Sequence, residues 1–139
     1  MSAEQRRAPR VGVGVILVRQ GQVLLGRRRG RDGAGTWGLP GGYLELFESW
    51  EECARRELRE EAALDLADPT LVTTTNDVRR EEQEHSVTIF LEASHVAGEP
   101  RVRAPREIDR WDWFAWNDLP EPRFHAFRNL IATGYSPRR

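Results

Sequence analysis

Three glutamates, Glu57, Glu60 and Glu61, crowd into the segment Arg56-Glu-Leu-Arg-Glu-Glu61. Residues 49–63 carry a helical pattern. On a wheel advancing about 100° per residue, Trp50, Cys53, Ala54 and Leu58 gather on one apolar face. Glu57 and Glu61 fall on that same side, and Glu60 flanks it. Glu52, Arg55 and Arg59 lie opposite, where a solvated face with a Glu52/Arg56 pair needs no special chemistry. Carboxylates four residues apart repel by a few tenths of a kcal/mol, and the negative end of the helix adds to that. A solvated charge cluster on a fraying helix is the plain explanation. The chemical one is a divalent cation that offsets the repulsion, because carboxylate oxygens completed by water or phosphate suit Mg²⁺ and Mn²⁺.

Other chemistry-bearing residues have simpler readings. Arg27, Arg28, Arg29 and Arg31 cluster beside the glycine-bearing loop 29–36, where a forked donor could grip phosphate. Trp111, Trp113 and Trp116 read as sheet and core packing, and Phe124 and Phe127 as core by default. Glu81, Glu82 and Glu84 belong to a polar loop. His85 and His125 carry no spacing signal. Cys53 falls on the apolar helix face with no histidine partner in its motif, which makes it a small hydrophobe rather than a nucleophile.

These side chains need a frame, and 139 residues allow one domain with a real core. Hydrophobic residues at 39% and charged residues at 31% indicate a globular chain. All 21 basic residues are arginine, and the net charge of −1 gives no cationic field for duplex nucleic acid. One cysteine excludes an intramolecular disulfide framework and points to a reducing, cytoplasmic compartment. The apolar run 11–18 is broken by Gly12 and Gly14 and falls well short of the roughly 20 residues of a spanning helix, so no membrane association is expected.

Residues 1–10 read as a mobile arm. Strands are expected over 11–18, 22–28, 71–77, 86–96 and 110–116, with a short one at 43–46. Loops are expected at 79–85 and 98–106, and a closing helix over 123–133. The order gives a single α/β domain with a mixed sheet, spanning 11–137.

The stretch Gly42, five residues, Glu48, seven residues, then Arg56-Glu57-Leu58-Arg59-Glu60-Glu61-Ala62-Ala63-Leu64 resembles the signature of the Nudix hydrolases. One position departs: Ala63 stands where the family has glycine, at a steric cost if that residue needs a positive φ. Val11-Gly-Val-Gly-Val, Leu39-Pro-Gly-Gly, Trp50-Glu-Glu-Cys-Ala and Val87-Thr-Ile-Phe extend the likeness to the family's vertebrate branch of nucleotide triphosphate diphosphatases acting on thiopurine nucleotides.

The resemblance implies an α-β-α sandwich and Mg²⁺, with Mn²⁺ as substitute, held by Glu57, Glu60 and Glu61 with the carbonyl of Gly41. Glu60 or Glu61 would act as general base. Arg56, counted with the catalytic set, and Glu48 would pair with the acids of the motif. Arg28, Gly42, Thr88, Phe124, Ala126 and Phe127 would surround a small-molecule nucleotide, in a homodimer. The implied reaction splits a nucleoside diphosphate linked to a further group, and for a triphosphate the products are monophosphate and pyrophosphate. ADP-ribose or a dinucleoside polyphosphate is the alternative substrate. A binding module without catalysis is a further alternative, against which the intact glutamates speak.

Overall fold

The computed structural model describes residues 7–139. The first six residues of the expected arm lie outside the described residues. Its last residue, Arg10, already belongs to strand β1 (Arg10–Arg19), and Arg7 donates to the carbonyl of Gln83. Strands β2 (Gln22–Arg28), β3 (Trp37–Gly38) and β4 (Gly41–Tyr43) precede helix α1 (Trp50–Ala62). Strands β5 (Leu66–Arg79), β6 (Glu84–His95) and β7 (Ile108–Ala115) then lead to helix α2 (His125–Ala132).

The seven strands form one mixed sheet with the path β3-β2-β1-β6-β5, while β4 pairs with β1 and β7 with β2. Only β1 and β6 run parallel among these pairings. Both are covered on two faces, which explains the nearly continuous apolar sequence of β1 and the unbroken burial of residues 88–93 in β6. Side chains alternate across β1. Val13, Val15 and Leu17 pack with Cys53, Ala54, Leu58 and Ala62 of α1. Ile16 and Val18 pack on the other side with Phe90 and with Phe127 and Leu130 of α2. The sheet is therefore sandwiched between the two helices.

Several expectations change: the strand expected at 71–77 begins already at Leu66, and a two-residue strand forms at Trp37–Gly38. The short strand expected at 43–46 lies earlier, at Gly41–Tyr43, because the chain turns outward where Phe47 adopts φ 67 with its ring 96% exposed. The expected loop 79–85 shrinks to a tight turn, closed by the Gln83 N–H donating to Arg80 at 3.1 Å, so that β5 and β6 pair out to Arg79 and Glu84. Charged side chains there are accommodated on an exposed hairpin rather than ending it. Trp50, expected on the buried helix face, is 39% exposed. Residues 49–52 are all exposed, so packing against the sheet begins only at Cys53.

Candidate active site

Helix α1 is fixed at both ends. The Ser49 hydroxyl accepts the Glu52 N–H at 3.0 Å, and the Glu52 carboxylate accepts the Ser49 N–H at 2.9 Å, a reciprocal capping box. Glu52 is thus held in its own turn, and the Arg56 partner anticipated for it is engaged elsewhere. At the far end Ala63 closes the helix in the left-handed region, φ 58, and donates to the Arg59 carbonyl. The irregular segment after β6, together with β7, satisfies the next carbonyls. Arg101 N–H reaches Ala62 O at 2.9 Å, and Trp111 Nε1 donates to Glu61 O at 3.2 Å.

Within that frame Glu61 is 7% exposed, and its Oε1 accepts the Gly41 N–H at 3.0 Å. Glu57 lies against Gly42, and a Cβ at residue 42 would overlap its carboxyl group. Gly41, at φ 157, leaves no room for a side chain either, since a Cβ there would overlap the Val13 carbonyl. The tight glycine strand β4 is what lets the two carboxylates approach the sheet.

Arg56 organises the neighbouring acids. Its Nε and Nη2 bind the two oxygens of Glu48 at 2.7 and 3.0 Å, a bidentate pair, while Nη1 reaches Glu57 at 2.7 Å and Glu60 at 3.4 Å. The Arg56 guanidinium holds Glu48 down at about 2. Glu48 and Glu57 in turn push Arg56 above the ordinary arginine range. Burial drives the Glu57 carboxyl up despite its contact with Arg56. Burial also drives Glu61 up to about 8, against the Gly41 hydrogen bond and with further repulsion from Glu57 and Glu107. Burial carries the Cys53 thiol up to about 12, which removes it as a nucleophile.

Glu57, Glu60 and Glu61 border a cleft of about 490 Å³. Gly41, Gly42, Arg28, Thr88, Phe124, Ala126 and Phe127 line the same cleft. Strands β1, β2, β4 and β6 and the start of α2 thus bring together residues spread over a hundred positions. Arg56 is not among the lining residues. It stands behind them and acts on the site through Glu57 and Glu60. Phe127 contributes little surface, being 1% exposed and packed edge-on against Trp116 at 5.9 Å. It follows the core default rather than presenting a free stacking face. One face of Phe124 is taken by the Arg28 guanidinium, 3.8 Å from the ring centroid.

Two further residues line or support the cleft: His125, which carries no spacing signal in the sequence, and Asp77, which the sequence reading passed over. His125 borders the cleft, both ring nitrogens buried without a hydrogen-bond partner, and burial lowers its proton affinity. Asp77, 1% exposed, sits behind Thr88. A carboxylate on the buried face of an otherwise polar, threonine-rich strand is the signal that could have singled it out.

Among the described residues no preformed cluster of three acidic, histidine or cysteine side chains surrounds a single point. The donor set nonetheless suits a hard divalent cation. It offers carboxylate oxygens alone, two of them in groups that burial raises and that repel each other, a charge imbalance which a cation relieves.

Comparison with known proteins gives one consistent picture. The pattern described as the NUDIX domain matches residues 8–133. A MutT NUDIX hydrolase from Burkholderia pseudomallei superposes with a TM-score of 0.83 at 39% identity, covering 88% of this chain and 95% of that one. The NAD-capped RNA hydrolase of Stutzerimonas stutzeri is 33% identical over 126 residues, 90% of this chain but 44% of its own length. An ADP-ribose pyrophosphatase of Methanocaldococcus jannaschii is 28% identical over 116 residues, 84% of this chain and 68% of its own. The chain spans about half the length of the NAD-capped RNA hydrolases it matches. The NUDIX domain of Shewanella oneidensis NrtR, solved with ADP-ribose, shares the fold with a TM-score of 0.77 at 24% identity, over 96% of this chain and 91% of that one.

Proposed function

The chain belongs to the NUDIX domain family, and from that premise we propose that it is a metal-dependent pyrophosphohydrolase whose substrate is a nucleoside diphosphate linked to a further group. The observation that carries this reading is the shared cleft: Glu57, Glu60 and Glu61 of α1 and the side chains Arg28, Thr88, Phe124 and Ala126 border one space. A nucleoside triphosphate, cut to monophosphate and pyrophosphate, is the favoured substrate.

Glu57, Glu60 and Glu61 would hold Mg²⁺ or Mn²⁺, with the backbone at Gly41. When bound, the metal supplies positive charge that neutralises phosphate oxygens and makes water more acidic. Glu60 or Glu61 takes the proton of the attacking water. The new bond forms between the water oxygen and one phosphorus as the anhydride bond breaks, and the second phosphate leaves with the bridging oxygen. Arg28 offers a forked donor to phosphate oxygens. Arg56 is a positioning residue, since it orients Glu57 and Glu60 without bordering the cleft.

A second reading, ADP-ribose as substrate, is favoured by the likeness to the M. jannaschii pyrophosphatase. Chromatographic separation of the nucleotide products formed from a panel of nucleoside triphosphates, ADP-ribose and dinucleoside polyphosphates, with Mg²⁺, decides between them. Triphosphate turnover supports the main reading. Faster turnover of ADP-ribose replaces it with the second, and no turnover of any member leaves a binding module.

The reading also places the protein in the cytoplasm, where the free Cys53 stays a thiol, as a single domain over 11–137. It includes a homodimer, which the exposed Leu46 and Phe47 favour. Light scattering at micromolar concentration giving the monomer mass would remove the dimer.

A further inference from the structure

Behind the cleft wall lies a closed polar network that the proposed reaction does not use. The Asp77 carboxylate accepts from Thr75 Oγ1 at 2.9 Å and Asn129 Nδ2 at 2.7 Å through one oxygen, and from Thr88 Oγ1 at 2.5 Å through the other. Burying a carboxylate without a cation is costly unless its lone pairs find donors, and three donors meet most of them here. Asn129 belongs to α2 and Thr88 to β6, so one carboxylate ties together two walls of the cleft.

The network fixes a proton. A hydroxyl has one hydrogen to give, and the Thr88 hydrogen is given to Asp77. Toward the cleft the Thr88 oxygen can only accept. Thr88, 8% exposed, borders the cleft, and its parallel neighbour on β1 is Gly12, which has no side chain to lie over Oγ1. A ligand carbonyl against this oxygen would set lone pair against lone pair, whereas an amino group would complete the site.

We propose that Asp77 is a positioning residue that commits Thr88 to accepting, and that the cleft thereby selects bases carrying an exocyclic amino group over their keto counterparts. The proposal rests on the nucleotide reading above. It names the base chemistry that reading leaves open: adenine against hypoxanthine, and cytosine against uracil.

Calorimetric binding of the non-hydrolysable α,β-methylene triphosphates of adenosine and inosine, and of cytidine and uridine, to the full chain with Mg²⁺ tests it without needing turnover. The amino member of at least one pair binds about tenfold more tightly. Thr88→Val, which keeps shape but removes the oxygen, shrinks that gap to about twofold or less, and Thr88→Ser preserves it. Asp77→Asn, which introduces a donor opposite Thr88, collapses or reverses the gap while overall affinity for the phosphate portion persists. Should Asp77→Asn fail to fold, the Thr88 pair decides alone. Equal affinities within both pairs, or a gap that survives Thr88→Val, overturn the proposal and leave the nucleotide reading standing. Binding of none of the four overturns that reading and this proposal with it.

Discussion

The carboxyl group of Glu57 occupies the space that a side chain at residue 42 would need, and only glycine at that position lets the two coexist. The relationship couples a strand of the sheet to the functional face of α1. It accounts for a partly buried glutamate directed at backbone rather than solvent.

Gly42→Ala should therefore displace Glu57 while leaving both cores intact, because neither core cluster includes residue 42. We expect a loss of turnover of roughly tenfold to a hundredfold, the scale on which groups that orient metal ligands act. The Mg²⁺ concentration for half-maximal rate should rise, with a small change in melting temperature. Kinetics as a function of Mg²⁺ with a parallel thermal melt measures both, and an unchanged Mg²⁺ dependence would show that Glu57 is not a ligand.

Glu61→Gln should separate activity from stability. Burial raises Glu61 to about 8, so in the metal-free protein the folded state keeps a proton that the unfolded chain releases above the ordinary carboxyl value of 4.5. A group raised in this way contributes stability that is lost as pH climbs through that window. The neutral amide removes this dependence and the repulsion from Glu57. In EDTA at pH 8 the variant should be about 1 kcal/mol or more steadier than wild type. Its Mg²⁺-supported turnover should fall by about a hundredfold or more. Chemical denaturation in EDTA between pH 5 and 8 checks the first half, and steady-state rates check the second.

Glu48 gives the opposite sign. Arg56 holds it at about 2 against an ordinary 4.5, so the pair contributes stability present above 4.5 that is lost as pH falls from 4.5 toward 2. Glu48→Gln should flatten the acid limb of a stability profile in that window. Arg56→Met should do the same and also destabilise at neutral pH by about 3 kcal/mol, since it strands Glu48 and Glu57 without their partner. Denaturation midpoints from pH 7 down to 3 would reveal an unaltered acid limb if the pair contributed nothing.

How much of this was legible in the sequence depends on the range over which each signal acts. Local signals carried well: the helix over 49–63, the apolar stripe Cys53-Ala54-Leu58 and the anomaly of Glu57 and Glu61 all follow from helical spacing. Signals set by neighbours in space did not. Trp50 belongs to the apolar stripe by angle, yet the first helical turn extends beyond the sheet it would pack on. Asp77 reads as one more polar residue in a strand until Thr88 and Asn129, brought from β6 and α2, surround it. The resemblance gathered Arg28, Thr88 and Ala126 as a set. The depth of Phe127 and the placement of Arg56 behind the cleft depend on packing that no local pattern encodes.

Ala63 offers a purely structural test. It sits at φ 58, a conformation that costs a residue with a Cβ roughly 1–2 kcal/mol. Ala63→Gly should stabilise the fold by about 1 kcal/mol after the added freedom of the unfolded chain is counted, with the active-site response unchanged. A melting temperature equal to or below that of wild type would mean that the turn is held without strain.

Ala126 bears on substrate choice. It borders the cleft from the first turn of α2 and packs against the core beneath it, so its methyl group lies between ligand space and helix backbone. That methyl group narrows the room for a base edge. Phe127, being buried, does not compensate with a stacking face, so the restriction falls on base size. Pyrimidine nucleotides should be favoured over purines, and Ala126→Gly should raise kcat/KM for purine nucleotides by about tenfold, the scale of one methylene in a specificity pocket. Because the change lies away from the glutamates, the pyrimidine rates and the Mg²⁺ dependence should move little. Measured kcat/KM ratios for matched purine and pyrimidine triphosphates decide the matter. If the ranking is the same in Ala126→Gly as in wild type, the base does not lie against α2 and the cleft is used in another orientation.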